Sequence, residues 1–144
     1  YKPKVLLNGR KVNNNISKNI FKSINKQCVN SNIDLKKCEI LILGITFKEN
    51  CSDTRNSRVV NLYNHFKKLN KNIDVYDPYA DDSEVYRFSG IKLIGTIDKK
   101  YDVVVLAVAH DDFLKIDYKK ILNKNYVLYD VKSILPKKLI TLRL

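Results

Sequence analysis

The sequence predicts an α/β fold: a Rossmann-like, open and mostly parallel sheet with flanking helices, preceded by a long N-terminal helix. Three observations predict it. Short, continuous apolar runs of strand length recur along the chain, stretches with helical apolar spacing lie between them, and turn-forming residues mark the joints. A strand buried on both faces of a parallel sheet reads as such a run rather than as an alternation.

In chain order, the apolar residues Val5, Leu6, Val12, Ile16, Ile20, Phe21 and Ile24 are spaced mainly by three, four and seven, which suits one face of a long helix reaching about Asn30. Gly9 and the run Asn13-Asn14-Asn15 lower its intrinsic propensity. Residues 31–37 have no period and read as a connector. The pattern changes at Cys38, so residues 1–37 are expected to form a central helix with its connector, and residues 38–144 an α/β domain. Glu39 to Ile45 reads as strand one, ending near Gly44. Val59, Val60, Leu62, Tyr63, Phe66 and Leu69 mark an amphipathic helix with Ser57 or Asn56 as its N-cap. Ile73 to Asp77 reads as strand two, stopped by Pro78. Asp81 to Phe88 suits a short helix closed by Gly90. Val103 to Val108 is the most β-prone run, and after a third helix a fourth strand is expected at Tyr126 to Tyr129.

The composition bounds the function classes. A chain of 144 residues holds one domain, or one with an appendage, and 44% apolar with 29% charged residues is a globular rather than a disordered mixture. No apolar run approaches the roughly 20 residues of a membrane helix, and no signal-peptide core follows the first residues, which argues for a cytoplasmic protein without a membrane partner. Cys28, Cys38 and Cys51 are odd in number and lack CxxC spacing, so neither a disulfide framework nor a four-cysteine zinc site is expected. Only His65 and His110 are present, without HxxxH spacing, and no metal is expected. The formal charge of +12 favours encounters with anions, although Lys scattered among Asn and Ile is also what A/T-rich coding produces. With no RNP-like aromatic pair, GXXG loop or helix-turn-helix spacing, nucleic acid is not the expected partner. The chain opens on Tyr1 and contains no Met, which suggests a piece of something longer.

In open α/β sheets, ligands sit beyond the carboxyl ends of the strands. The loop from Ile45 to Ser57 is the densest polar stretch there. Glycines occur only at positions 9, 44, 90 and 95, so neither a dinucleotide fingerprint nor a Walker A loop is present. A phosphate would have to be held by side-chain cations such as Lys48 and Arg55, or by helix N-terminal amides. The alternative is a solvated loop in which Asp53 pairs with Arg55. Asp77 is either an acid for a ribose hydroxyl or, as favoured, the initiator of the Asp77-Pro78 turn. Cys51 lies near two cations but has no histidine close in sequence to act as its base. Cys28 and Cys38 suit packing positions, His65 a surface position, and His110 lies where a ligand is in reach. Lys132 adds a cation after strand four. Phe47 either plugs the sheet edge or offers a flat face to a nucleobase.

Gly44 to Ser57, containing Gly-Ile-Thr-Phe-Lys and then Asp53-Thr54-Arg55, closely resembles the GxxFKxxxxDxR motif that opens the UDP-binding domain of UDP-glucose/GDP-mannose dehydrogenases. Val75-Tyr76-Asp77-Pro78 resembles that family's VYDP, Leu106 to His110 its third strand, and Asp130-Val131-Lys132 its D-x-[KR] turn, where many relatives carry Arg. Gly9-Arg10-Lys11-Val12-Asn13 is similar to the GRRIN segment of the subgroup acting on UDP-N-acetylhexosamines. The resemblance covers essentially the whole chain. It implies a two-step, NAD-dependent oxidation of the sugar C6 alcohol to a carboxylate. By position, Phe47, Lys48 and Lys132 would contact the UDP-sugar, Arg55 would reach toward NAD, and the central helix would form a homodimer. It also implies an N-terminal NAD-binding domain and a GxC nucleophile segment that this sequence does not contain. The chain is therefore expected to be the C-terminal, nucleotide-sugar-binding part of such an enzyme, inactive alone. The alternative is a free-standing, non-catalytic nucleotide-binding module.

Overall fold

Ile20, Ile24 and Cys28 recur every four residues on α1 (Lys4–Asn30), and their side chains are all buried. The spacing that predicts the helix is thus also the stripe that docks it. The computed structural model describes residues 4–55 and 57–144, with side chains from Asn15 onward. The expectations resting on Tyr1, on the side chains of Val5, Leu6, Gly9 and Val12, and on Asn56 lie outside the described residues.

The connector predicted after α1 is a set of turns that buries Leu35. Five strands follow: β1 (Ile40–Leu43), β2 (Ile73–Tyr76), β3 (Tyr101–Leu106), β4 (Leu122–Asp130) and β5 (Leu142–Arg143). They form one all-parallel sheet in the order β2-β1-β3-β4-β5. Ile40 of β1 pairs with Ile73 on one side and with Val103 on the other. One face carries Ile40, Ile42, Val103, Val105 and Val127 against α1, α2 (Val59–Lys67) and Val85 of α3 (Asp82–Ser89). The opposite face carries Leu41, Leu43, Val104, Leu106 and Leu128 against Phe113, Tyr118 and Leu135. Burial on both faces explains why β1 and residues 103–106 of β3 read as apolar runs; β3 itself begins two residues earlier than that run, at Tyr101, and ends at Leu106. Each fully buried aliphatic side chain contributes about 1.5–3 kcal/mol.

The first two helices after the connector follow the sequence closely. α3 starts on Asp81, whose carboxylate accepts the Glu84 amide, and ends at Gly90 in the left-handed conformation (φ 75°). α2 begins one residue later than its expected cap. Ser57 Oγ accepts the Val59 amide at 3.2 Å, while Arg58 holds the N-cap position without a side-chain bond. The third helix is reduced to a 3₁₀ turn (Asp111–Leu114) and one turn of helix, α4 (Tyr118–Ile121), pinned by Tyr118 Oη donating to the Phe113 carbonyl at 2.7 Å. These pieces leave an open groove of about 1110 Å³ beside Leu114, Ile116 and Tyr126. β4 begins four residues before its predicted start, because Asn123 and Asn125 find partners in the Asp102 carboxylate and the Ser31 carbonyl instead of breaking the strand. β5, two residues long, carried no signal in the sequence. His65 is half-buried rather than on the surface, stacked on Phe21 of α1 at 5.6 Å.

One buried polar side chain ties the connector to the sheet. Asn70 Nδ2 donates to the carbonyls of Leu35 (2.9 Å) and Cys38 (2.7 Å), and its Oδ1 accepts the Asn72 amide at 2.7 Å. Asn70→Ala strands two carbonyls and one amide, and is expected to lower the unfolding free energy by about 2–4 kcal/mol in urea denaturation. A loss below about 1 kcal/mol would show that water satisfies these groups instead.

Candidate functional site

The chain leaves β1 toward β2 on one side and later returns to β3 on the other, so the carboxyl ends of β1 and β3 flank a topological switch point. The sequence brings these exits into close contact with a glycine. Gly44 has φ 96°, and a Cβ there would lie 2.5 Å from Val108 Cβ, so no other residue fits between the two exits.

Asp77, at the exit of β2, turns inward. Its fully buried carboxylate accepts the amides of Ile45 (2.7 Å) and Thr46 (3.1 Å) through Oδ2, and that of Tyr79 (2.9 Å) through Oδ1. The Tyr79 bond is the expected turn-initiating contact. With every contact spent on the protein, Asp77 is a scaffold and not a ribose ligand. His110, also fully buried, places Nε2 3.0 Å from Asp77 Oδ2 and 3.1 Å from Thr46 Oγ1, while Nδ1 accepts the Asn50 amide at 2.8 Å. An Nδ1 that accepts an N–H carries no proton, so the hydrogen-bond pattern assigns the neutral Nε2–H tautomer. Burial pushes the Asp77 carboxyl up. The bonds from His110 and from the Ile45 and Tyr79 amides outweigh it and leave the group below the usual carboxylate value.

On this buried frame sits an exposed rim. Phe47 is 55% exposed, with its amide donating to the Asp53 carbonyl, and Lys48 is exposed beside it. Lys132 is exposed after β4, two strand positions from β1, or roughly 10 Å by strand spacing. Its turn repeats the Asp77 arrangement: buried Asp130 accepts the Lys132 amide (3.2 Å) and the Leu135 amide (2.8 Å). Arg55 lies at the other end of the β1–α2 loop and forks onto Asp53, Nε to Oδ1 at 3.1 Å and Nη2 to Oδ2 at 3.2 Å, with its side chain 72% exposed. This is the local pairing anticipated as the alternative for this loop, and it holds the Asp53 carboxyl below its usual range. Arg55 also lines a cleft of about 480 Å³ with Thr54, Ser57, Val60, Val85 and Phe88, a cleft that neither Phe47 nor Lys48 lines.

Cys51 Sγ accepts the Asp53 amide at 3.3 Å, and both His110 nitrogens are engaged elsewhere, so the loop holds no nucleophile–base pair. Among the described residues no group of His, Cys, Asp and Glu is arranged to hold a metal ion, and no helix is long and apolar enough to cross a membrane. Sequence reasoning placed His110 near a ligand; the structure puts it beneath the rim, out of solvent. It missed Thr46 and Asn50 altogether. An Asn in a polar loop is a signal for the left-handed conformation, which Asn50 adopts (φ 54°).

Residues 41–137 match the model of the UDP-glucose/GDP-mannose dehydrogenase family, UDP-binding domain. The chain is 34% identical over 140 residues to a UDP-N-acetyl-D-glucosamine 6-dehydrogenase of Salmonella typhi, covering 94% of this chain and 33% of that protein. It is 35% identical over 136 residues to the protein CapL of Staphylococcus aureus, covering 92% of this chain and 32% of that one. The chain thus spans about a third of the length of the curated relatives it matches. Among solved structures, a UDP-N-acetyl-mannosamine dehydrogenase from S. aureus superposes with a TM-score of 0.68 at 18% identity, over 96% of this chain and 31% of that one, which shows a shared fold.

Two predictions test the frame. Asp77→Asn is expected to cost about 2–4 kcal/mol at pH 7, since an amide nitrogen would oppose one of the donors now facing the carboxylate. Because the folded-state value of Asp77 is depressed, this contribution is present above about pH 4 and is lost as pH falls through the folded value. The gap between parent and variant should therefore close under acid; a pH-independent gap would assign it to packing. Burial pushes the thiols of Cys28 up to about 11 and of Cys38 up to about 12. A disulfide reagent at pH 8 should accordingly titrate one thiol, Cys51, in the folded chain and three in denaturant.

Proposed function

This chain belongs to the UDP-glucose/GDP-mannose dehydrogenase family through its UDP-binding domain, and from that premise we propose that it is the nucleotide-sugar-binding part of an NAD-dependent dehydrogenase that oxidises the C6 alcohol of a UDP-N-acetylhexosamine to a uronic acid for polysaccharide synthesis. The observation that carries the reading is the division at the sheet edge: Asp77, His110 and Asp130 are buried and spent on backbone and neighbours, while Phe47, Lys48 and Lys132 stand exposed above them. A diphosphate needs cations held on a rigid base, and a uracil needs a flat apolar face. Lys48 and Lys132 supply the first and Phe47 the second. The excess positive charge of the chain favours encounters with an anionic substrate.

The described residues do not form a dinucleotide cradle. The amides of Ile45 and Thr46, which a glycine-rich loop would offer to a pyrophosphate, are bonded to Asp77. NAD is accordingly assigned to an N-terminal domain of the same parent protein, with Arg55 facing it from the separate cleft beside α3. No chemical step is assigned to this chain, whose part is to bind and orient the nucleotide. We place the protein in the cytoplasm as a homodimer joined through α1. The helix is 27 residues, about 40 Å long.

Calorimetric titration with UDP tests the reading. The parent chain should bind, Lys48→Ala and Lys132→Ala should each weaken binding by about tenfold, and Arg55→Ala should stay within about threefold. Raising the salt should weaken binding only modestly, as a single diphosphate contact requires. Failure to bind at millimolar UDP would remove the proposal that this chain carries the nucleotide site.

A further inference from the structure

Phe47 and Lys48 are exposed, yet the backbone that carries them is bracketed by one buried ring. On one side, the Thr46 hydroxyl donates to the Lys48 carbonyl at 2.9 Å, and the same oxygen lies 3.1 Å from His110 Nε2. On the other, Asn50, two residues beyond Lys48, donates its amide to His110 Nδ1 at 2.8 Å, and its side-chain Oδ1 accepts the Asp111 amide at 3.0 Å. The ring is gripped by Tyr79 at 4.5 Å and Phe113 at 5.2 Å between centroids, and Tyr79 Oη donates to Asp112 at 3.0 Å. His110 has no exposed surface. It cannot touch a ligand, but its Nδ1 holds the end of the turn that carries Phe47 and Lys48, while its Nε2 meets Asp77 and Thr46.

We propose that His110 is a positioning residue: its Nδ1 latches the Asn50 amide and so holds Phe47 and Lys48 in the orientation that a nucleoside diphosphate requires. The identity of the ligand rests on the function proposed above; the latch rests on the geometry alone. A ring that merely filled space would have its role matched by any side chain of similar bulk. A latch depends on an acceptor at the position of Nδ1. Asn places its Oδ1 on Cγ, where Nδ1 stands, whereas Gln reproduces only the Nε2 position.

The full chain, His110→Asn and His110→Gln are compared by UDP calorimetry, by thermal unfolding, and by hydrogen exchange of the Asn50 amide followed by NMR. Both variants lose the ring's packing and should melt at lowered temperatures, His110→Asn the lower of the two because it also gives up the Nε2 bond to the buried Asp77 carboxylate. The latch predicts that His110→Asn keeps the Asn50 amide protected and UDP affinity within about threefold, while His110→Gln frees the amide and weakens UDP by about tenfold or more. Equal protection of Asn50 in both variants overturns the latch. A freed amide with unchanged UDP affinity overturns the positioning role. A latch that behaves as predicted in a parent chain that binds no UDP leaves the latch standing and removes the nucleotide reading. If His110→Gln does not fold, the exposed Asn50 carries the test: Asn50→Gly keeps the left-handed turn and its amide donor, and Asn50→Ala strains it, so only the alanine variant should lose UDP affinity. Equal affinities in that pair also overturn the proposal.

Discussion

The carboxylate of Asp77 sits dry at the point where the chain reverses its direction across the sheet, and three loops of that edge, those after β1, β2 and β3, are organised around it. It satisfies amides at the start of the β1–α2 loop, it closes the turn leaving β2, and it meets the ring that follows β3. A charge taken out of water is costly unless its lone pairs are all used. That constraint turns one acid into a fixed point, because any rearrangement of a loop would leave the charge unpaired. Gly44 meets a separate, steric constraint at the same edge: the β1 exit passes so close to Val108 that a Cβ has no room.

The edge repeats this device. Asp130 at the exit of β4 accepts two amides from its own turn, as Asp77 does with Tyr79 and the β1 loop, and in each case exposed side chains stand on a backbone fixed from below. Separating the scaffold from the contacts is physically economical. The acids that shape the loops are screened from any anion by burial and pairing, and the cations that would meet an anion are exposed. Asp53 does the corresponding work in the open, orienting Arg55 with a two-point fork whose net worth at the surface is small but whose geometry is defined.

Period and run length made the layers of this protein legible. Apolar runs gave β1 and residues 103–106 of β3, where side chains on both faces are buried; Asp81 and Gly90 bounded α3, because a cap and a left-handed stop are local requirements. The positions of Phe47, Lys48, Arg55 and Lys132 in exposed loops and turns after the strands were also legible, since the strand ends and the turn residues beside them set those loops. The third helix was overcalled, because Phe113, Tyr118 and Ile121 can bury themselves from two short turns as well as from one helix. β5 was invisible, because two residues without alternation become a strand only when a neighbouring strand offers them its edge.

The sequence by itself thus determined the class of fold, the polar loop that leaves the first strand and the family to which these residues are similar. Tertiary structure alone decided which polar residues stay at the surface and which go inside. Thr46, Asn50, Asp77 and His110 are spread over 64 positions of the chain between the first and last of them, and nothing in their local spacing distinguishes a ligand contact from a buried support. Their roles follow from the parallel pairing of β1 with β2 and β3, which puts the three exits at one sheet edge and brings donors and acceptors from three loops within hydrogen-bond distance. Whether a polar group is paired is a property of those long-range neighbours.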